Sequence, residues 1–195
     1  MNRIEQYCYD VLNGKIITGE SIKLAVKRHL NDLEKSKNED YPYYFDEQLA
    51  NNIIDFAETL VIAEGTEQRP LHLYPFQVFI LGSLLGWVYK NNPKNHRYRE
   101  SYVQLSRQNG KSVLNAIIAS YRSNFLGYKY NQTYLCATKT DQAKIVLKEI
   151  IKFLNADAEL GQFFKIKEYK NEVQCLNSKG YIRALSGDTK SLDGL

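Results

Sequence analysis

Gly110, Lys111 and Ser112 are consecutive; they follow a polar turn and open an apolar helical pattern. That order suits phosphate binding. Backbone N–H groups at a helix N-terminus converge on one point and stabilise an anion there. Lys111 in this position would reach the β and γ phosphates of a nucleotide, and the Ser112 hydroxyl would hold magnesium. Gly110 lets the backbone approach the phosphates in a conformation that few residues accept. The full pattern, G-x-x-x-x-G-K-[ST], also asks for a glycine where this chain has Leu105. An ordinary strand-to-helix turn with a capping lysine presents the same triplet, so the triplet alone leaves both readings open.

Other reactive residue types are scattered. His29, His72 and His96 are far apart and lack metal-ligand spacing, and no Ser-His-Asp or Cys-His arrangement stands out. Cys8, Cys136 and Cys175 are odd in number and form no CxxC. This argues against zinc and disulfide frameworks and suits a reducing cytosol. Lys144, Lys148 and Lys152 recur every fourth residue. They either track a nucleic-acid backbone or form the solvated face opposite Ile145, Ile150 and Leu154.

The elements that must position the Gly-Lys-Ser triplet can be read from periodicity. Tyr98–Leu105 reads as a strand leading into the turn Ser106–Gly110, and Lys111–Phe125 as the helix after it. Thr133–Ala137 is a second strand and Asp141–Leu154 a second helix, capped by Thr140 or Asp141. Glu172–Leu176 and Tyr181–Leu185 are short strands joined by a turn. The preceding region is helical: Ile4–Leu12, Ile22–Leu33, and a third helix after an Asp46 cap, running up to Gly65. Tyr41–Phe45 is an aromatic knot around Pro42 with no regular structure expected. Arg69–Pro75 is an extended lead-in to a helix over Phe76–Lys90. The expected class is therefore α/β: a helical N-terminal region, 1–66, followed over 67–195 by an incomplete P-loop NTPase core with a parallel sheet.

Length predicts one domain, or one domain plus an appendage. The chain has 195 residues, 44% of them hydrophobic and 25% charged. This excludes disordered, collagen-like and disulfide-scaffold classes. The net charge of +4 is not gathered into a block, so it permits a nucleic-acid partner without implying one. The apolar run Phe76–Tyr89 is shorter than the roughly 20 residues that span a bilayer, and the first residues have no secretory pattern.

Taken whole, Ser106-Arg107-Gln108-Asn109-Gly110-Lys111-Ser112 resembles the phosphate-binding loop of the large terminase subunit of tailed bacteriophages, the ATPase motor that packages DNA into a prohead. In that family the loop lacks the first glycine, carries an early basic residue, here Arg107, and ends in Gly-Lys-Ser/Thr. Leu73-Tyr74-Pro75-Phe76-Gln77 resembles the family's adenine-binding motif, a glutamine preceded by aromatics. Ala137–Ala143 resembles the segment after the second strand, which faces nucleotide or DNA. Ile182–Asp188 and Leu192–Leu195 resemble the stretch before the Walker B strand.

The resemblance implies that Gln77 and Ser106, Arg107, Gln108, Asn109, Gly110, Lys111 and Ser112 bind ATP. It implies that Lys111 and Arg107 act in catalysis and that Ser112 ligates magnesium. The implied partners are double-stranded DNA, the small terminase subunit and the portal protein. The full protein would form a homo-oligomeric ring in the host cytoplasm, with no membrane association. In the family, the Walker B acids, the coupling motif and the nuclease carboxylates come later. Asp188 and Asp193 do not follow an apolar strand, so the expectation is a chain truncated before Walker B and inactive alone. A non-catalytic remnant shares all these residues. An unrelated P-loop NTPase or kinase would need its own acidic magnesium ligand and an arginine-bearing lid, and none is evident.

Overall fold

The computed structural model describes residues 2–64 and 67–185. In chain order the elements are α1 (Arg3–Leu12), α2 (Glu20–Ser36), β1 (Tyr43–Phe45), α3 (Glu47–Thr59), β2 (Val61–Glu64), β3 (Glu67–Pro70), α4 (Pro75–Gly86) and β4 (Trp87–Tyr89). They continue with α5 (Lys111–Asn124), β5 (Gln132–Cys136), α6 (Thr140–Ala156), α7 (Ala158–Gly161), β6 (Phe164–Lys167), a 3-10 turn (Glu168–Lys170), β7 (Glu172–Cys175) and β8 (Gly180–Leu185). Gly65 and the segment 186–195, with Ser186–Asp188 and Leu192–Leu195, lie outside the described residues.

The chain forms two compact units, Met1–Glu58 with His72–Gln104, and Thr59–Leu71 with Leu105–Leu195. The 66/67 division expected from sequence falls between β2 and β3, which pair with each other in antiparallel register. Helix α4, expected with the second domain, belongs to the first unit and packs on α1.

In the first unit α1, α3 and α4 bury Ile4, Val11, Ile53, Ile54, Leu81 and Leu85. Asp46 caps α3 as expected: its Oδ1 accepts from the Leu49 N–H at 3.0 Å. A Cβ at Gly82 would collide with the Ile4 side chain, so this glycine sets how closely α1 approaches α4. Tyr43–Phe45 is a strand rather than irregular chain. Strand β1 pairs antiparallel with β4, with Phe45 opposite Trp87. This pairing also explains why α4 stops at Gly86 instead of running to Lys90: Trp87–Tyr89 is recruited to the ladder.

In the second unit a four-stranded sheet runs β5-β8-β7-β6. β5–β8 is parallel, as the expected core requires, while β6–β7 and β7–β8 are antiparallel, so the sheet is mixed. One sheet face carries Phe164, Val173, Cys175, Ile182 and Ala184, all buried, and α5 and α6 pack on this sheet. The expected strand Tyr98–Leu105 is not formed. Residues 101–106 have no regular structure, and Tyr102 is 88% exposed. A strand is held by ladder hydrogen bonds to a neighbour, and no described strand pairs with this segment. Helix α3 ends at Thr59, short of the expected limit, because Val61–Glu64 pairs with Glu67–Pro70.

Candidate functional site: the loop before α5

Helix α5 begins at Lys111 for a local reason. Gly110 is its N-cap in the left-handed conformation, φ 74° and ψ 18°, which glycine adopts without the steric cost of a Cβ. The cap offers no side-chain acceptor to the N–H groups of the first turn, and that turn contains no acid. The positive end of the helix dipole is thus left for an external anion. The apolar face behind it is anchored by Leu114, Ala116 and Ile117, all buried.

The Lys111 side chain folds back over the loop. Its Nζ donates to the carbonyl oxygens of Leu105 and Ser106, each at 2.6 Å. Asn109 Nδ2 donates to Ser106 Oγ and, at 3.1 Å, to the Arg107 carbonyl. Gln108 has φ 65°, a conformation that costs a non-glycine residue about 1 kcal/mol. Two left-handed residues therefore flank Asn109 and curl the chain around Lys111. Ser106–Asn109 are exposed, whereas Gly110, Lys111 and Ser112 are half-buried. The geometry supplies an ammonium, helix N–H groups without a side-chain cap and a hydroxyl one residue on. That set matches the donors a triphosphate requires and the oxygen ligand magnesium prefers.

A buried amide holds the other end of α5. Asn124 Nδ2 donates to the Phe163 carbonyl at 3.1 Å, and its Oδ1 accepts from the N–H groups of Asn177 at 3.0 Å and Ser178 at 3.3 Å. Ser123 Oγ lies 2.6 Å from Thr133 Oγ1 on β5. These bonds fix α5 to the sheet. No sequence motif marks Asn124, because its partners are backbone groups far along the chain.

The sequence matches the family described as "Terminase large subunit, ATPase domain" over residues 75–195. The chain belongs to the terminase large-subunit ATPase family. Among solved structures, the HK97 bacteriophage large terminase is similar in fold, with a TM-score of 0.63 and 24% sequence identity. The match covers 75% of this chain and 29% of that one. No curated protein matches. The terminase ATPase match begins at Pro75, the first residue of α4, and contains the whole 106–112 loop.

Gln77 lies on α4, in the first unit, and is buried at 5% exposure. Its Oε1 accepts from the Tyr74 N–H at 2.9 Å, capping its own helix. An adenine edge would need both the acceptor and the donor of this amide, and the acceptor already serves the cap. The Tyr74 and Phe76 rings beside it are parallel, with centroids 6.1 Å apart. On the Ala137–Ala143 segment, Lys139 rather than Thr140 or Asp141 is the cap of α6. Along α6, Ala143, Leu147, Ile150 and Leu154 are buried and Ile145 is 47% exposed, so Ile145 is not part of the apolar face. Lys152 pairs with Glu149 at 2.9 Å.

A cavity of about 430 Å³ in the second unit lies among α5, β5 and α6, lined by Asn115, Arg122, Tyr134 and Gln142 among others. It includes no residue of the 106–112 loop, so the loop and this cavity are separate features. Among the described residues no group of His, Cys, Asp and Glu is arranged to hold a metal ion, and no helix is long and apolar enough to cross a membrane.

Proposed function

We propose that this chain is the ATP-binding part of a terminase large subunit, the motor that drives double-stranded DNA into proheads. The observation that carries the reading is the 106–112 loop. Lys111 closes on the carbonyls of Leu105 and Ser106 at 2.6 Å while Gly110 leaves the α5 N-terminus uncapped. Magnesium would take its protein oxygen from Ser112, and with the nucleotide it supplies charge neutralisation at the transferring phosphoryl group. Lys111 exchanges its two carbonyl partners for phosphate oxygens. Arg107 adds a second cation from the exposed side of the loop, where it can stabilise negative charge. Gln77 contributes to adenine selection through its amide N–H donor, its Oε1 being engaged in the α4 cap. The full protein acts as a homo-oligomeric ring in the host cytoplasm, with the small terminase subunit and portal protein as partners.

Hydrolysis also needs an acid to hold the metal and another to orient water. The chain taken alone therefore binds magnesium-ATP weakly and releases no phosphate. Equilibrium binding of a fluorescent ATP analogue, with phosphate release measured in parallel, tests this. Binding should be present in the chain and lost in Lys111→Ala. Equal binding by both proteins would remove the site. Phosphate release that vanishes in Lys111→Ala would show that the catalytic acids lie within this chain.

A further inference from the structure

The strand register builds a second surface that the nucleotide loop does not use. One row crosses the four-stranded sheet as Lys165, Gln174, Tyr181 and Gln132. The next row on the same face is Lys167, Glu172, Arg183 and Tyr134. Successive residues of a strand alternate between faces, so this face is polar where the opposite one carries the core residues Phe164, Val173 and Ile182.

The face is pre-organised. Tyr134 donates its hydroxyl proton to Gln132 Oε1 at 3.0 Å, so the 2.7 Å contact with Tyr181 is a bond donated by Tyr181. Arg183 lies over the Tyr181 ring at 4.5 Å and donates twice to Glu172 Oε2. That pair consumes the one carboxylate of the two rows, and Glu172 is buried at 3% exposure. Lys165 and Lys167 then stand about 7 Å apart along β6: Lys165 lies opposite the neutral Gln174, and Lys167 lies opposite Glu172, whose Oε2 is already engaged by Arg183. The adjoining 3-10 turn has one acid, Glu168, and one base, Lys170, and leaves the balance unchanged. The two rows therefore have a net positive charge on a hydroxyl- and amide-rich face. A protein partner's buried interface core would be depleted in such charge. A phosphate backbone is met by lysines in this setting, with polar groups between them.

We propose that this sheet face contacts the sugar–phosphate backbone of double-stranded DNA, with Lys165 and Lys167 as the phosphate-neutralising residues. The inference rests on the DNA-motor reading above and names the surface it would use. It differs from the Lys144–Lys152 stripe, which is on α6.

The test is fluorescence anisotropy of the 195-residue chain with a labelled random-sequence duplex, over about 50 to 200 mM salt. Magnesium-ATP binding is measured on the same samples. Lys165→Glu/Lys167→Glu should weaken duplex binding by about tenfold or more at low salt and make the log–log salt slope shallower by about 2. Lys165→Gln/Lys167→Gln should give the same slope change with a smaller loss, and magnesium-ATP binding should be unchanged in both. Duplex affinity equal to the parent in both variants overturns the proposal. So does a loss confined to a Lys144→Glu/Lys148→Glu/Lys152→Glu variant. A parent chain that binds magnesium-ATP but no duplex overturns the sheet-face assignment and leaves the nucleotide reading standing. Duplex binding that depends on Lys165 and Lys167, without ATP binding, supports the face and sinks the nucleotide reading.

Discussion

The ammonium of Lys111 lies 2.6 Å from the carbonyl oxygen of Leu105, six residues before it and directly ahead of the loop. A second 2.6 Å bond, to the Ser106 carbonyl, completes the closure. Lys111 thus pins the loop by its own backbone. It can be released because both partners are neutral carbonyls, and a phosphate oxygen makes the stronger charge-assisted bond.

Lys111→Ala should lower the ATPase kcat/KM of the complete terminase subunit by at least about 100-fold, the scale of losing one preorganised electrostatic contact. Lys111→Arg should fail as well, because a planar guanidinium cannot make the same compact approach. Thermal unfolding of both variants should stay near that of the parent. Parent-like turnover in folded Lys111→Ala would eliminate the role.

Two substitutions at Gln77 separate its helix cap from the proposed contact with adenine. Gln77→Ala removes the acceptor for the Tyr74 N–H and should destabilise the protein by about 1 kcal/mol, as loss of a helix cap does. Gln77→Glu keeps an acceptor near the α4 N-terminus, where negative charge is favourable, but loses the amide donor. Stability should therefore be retained in Gln77→Glu while the preference for ATP over GTP disappears. Competition binding that shows unchanged preference would restrict Gln77 to its capping role.

Asn124 carries three hydrogen bonds to backbone groups and is 3% exposed. Asn124→Ala leaves one carbonyl and two N–H groups without those partners. The expected cost is about 3 kcal/mol, given about 1 kcal/mol or more for each group left unpaired. Urea unfolding measures it. A loss under about 0.5 kcal/mol, the usual range for a surface substitution, would show that Asn124 does not anchor α5.

His29 ties stability to pH. It is 2% exposed, and its Nδ1 accepts from the Trp87 indole N–H at 3.1 Å. The neutral ring therefore carries its proton on Nε2, which is buried without a partner. Burial pushes its pKa down from 6.5 to about 4; nearby Asp32 opposes the shift, and Arg28 and Arg97 add to it. The unfolded chain binds a proton near pH 6.5 and the folded chain does not. Stability is then full above pH 6.5, falls as the pH drops toward 4, and levels off below that. The loss is on the order of 3 kcal/mol. His29→Gln, which can still accept from Trp87, should flatten the curve between pH 6.5 and 4. An unchanged slope in that variant would assign the pH dependence elsewhere.

Helices α1, α5 and α6 were legible in the sequence almost to the residue, whereas α3 and α4 end earlier than expected. Helix α1 matches Ile4–Leu12, and α5 and α6 match Lys111–Phe125 and Asp141–Leu154 within one or two positions. The reason is that helix hydrogen bonds join residues four apart, so local periodicity and a cap such as Asp46 contain most of the information. The β7–β8 hairpin was legible for the same reason, since its partners are separated by one short turn. The loop chemistry was local too: Gly110 has the left-handed φ that the triplet asked of it.

Strand pairing over distance was decided by tertiary structure alone. Nothing near Tyr43–Phe45 announces Trp87–Tyr89, yet that pairing makes β1 a strand and ends α4 at Gly86. Tyr98–Leu105 has strand composition and no strand, because a ladder needs a neighbour that composition does not supply. Which amides and lysines share a surface is likewise a matter of register. Gln77 was legible as a residue type but not as the cap of its own helix, and Lys165 joined the row of Tyr181 only when β6, β7 and β8 aligned. Helical order is enforced within a few residues of chain, whereas sheets and side-chain networks are enforced between segments that sequence leaves far apart.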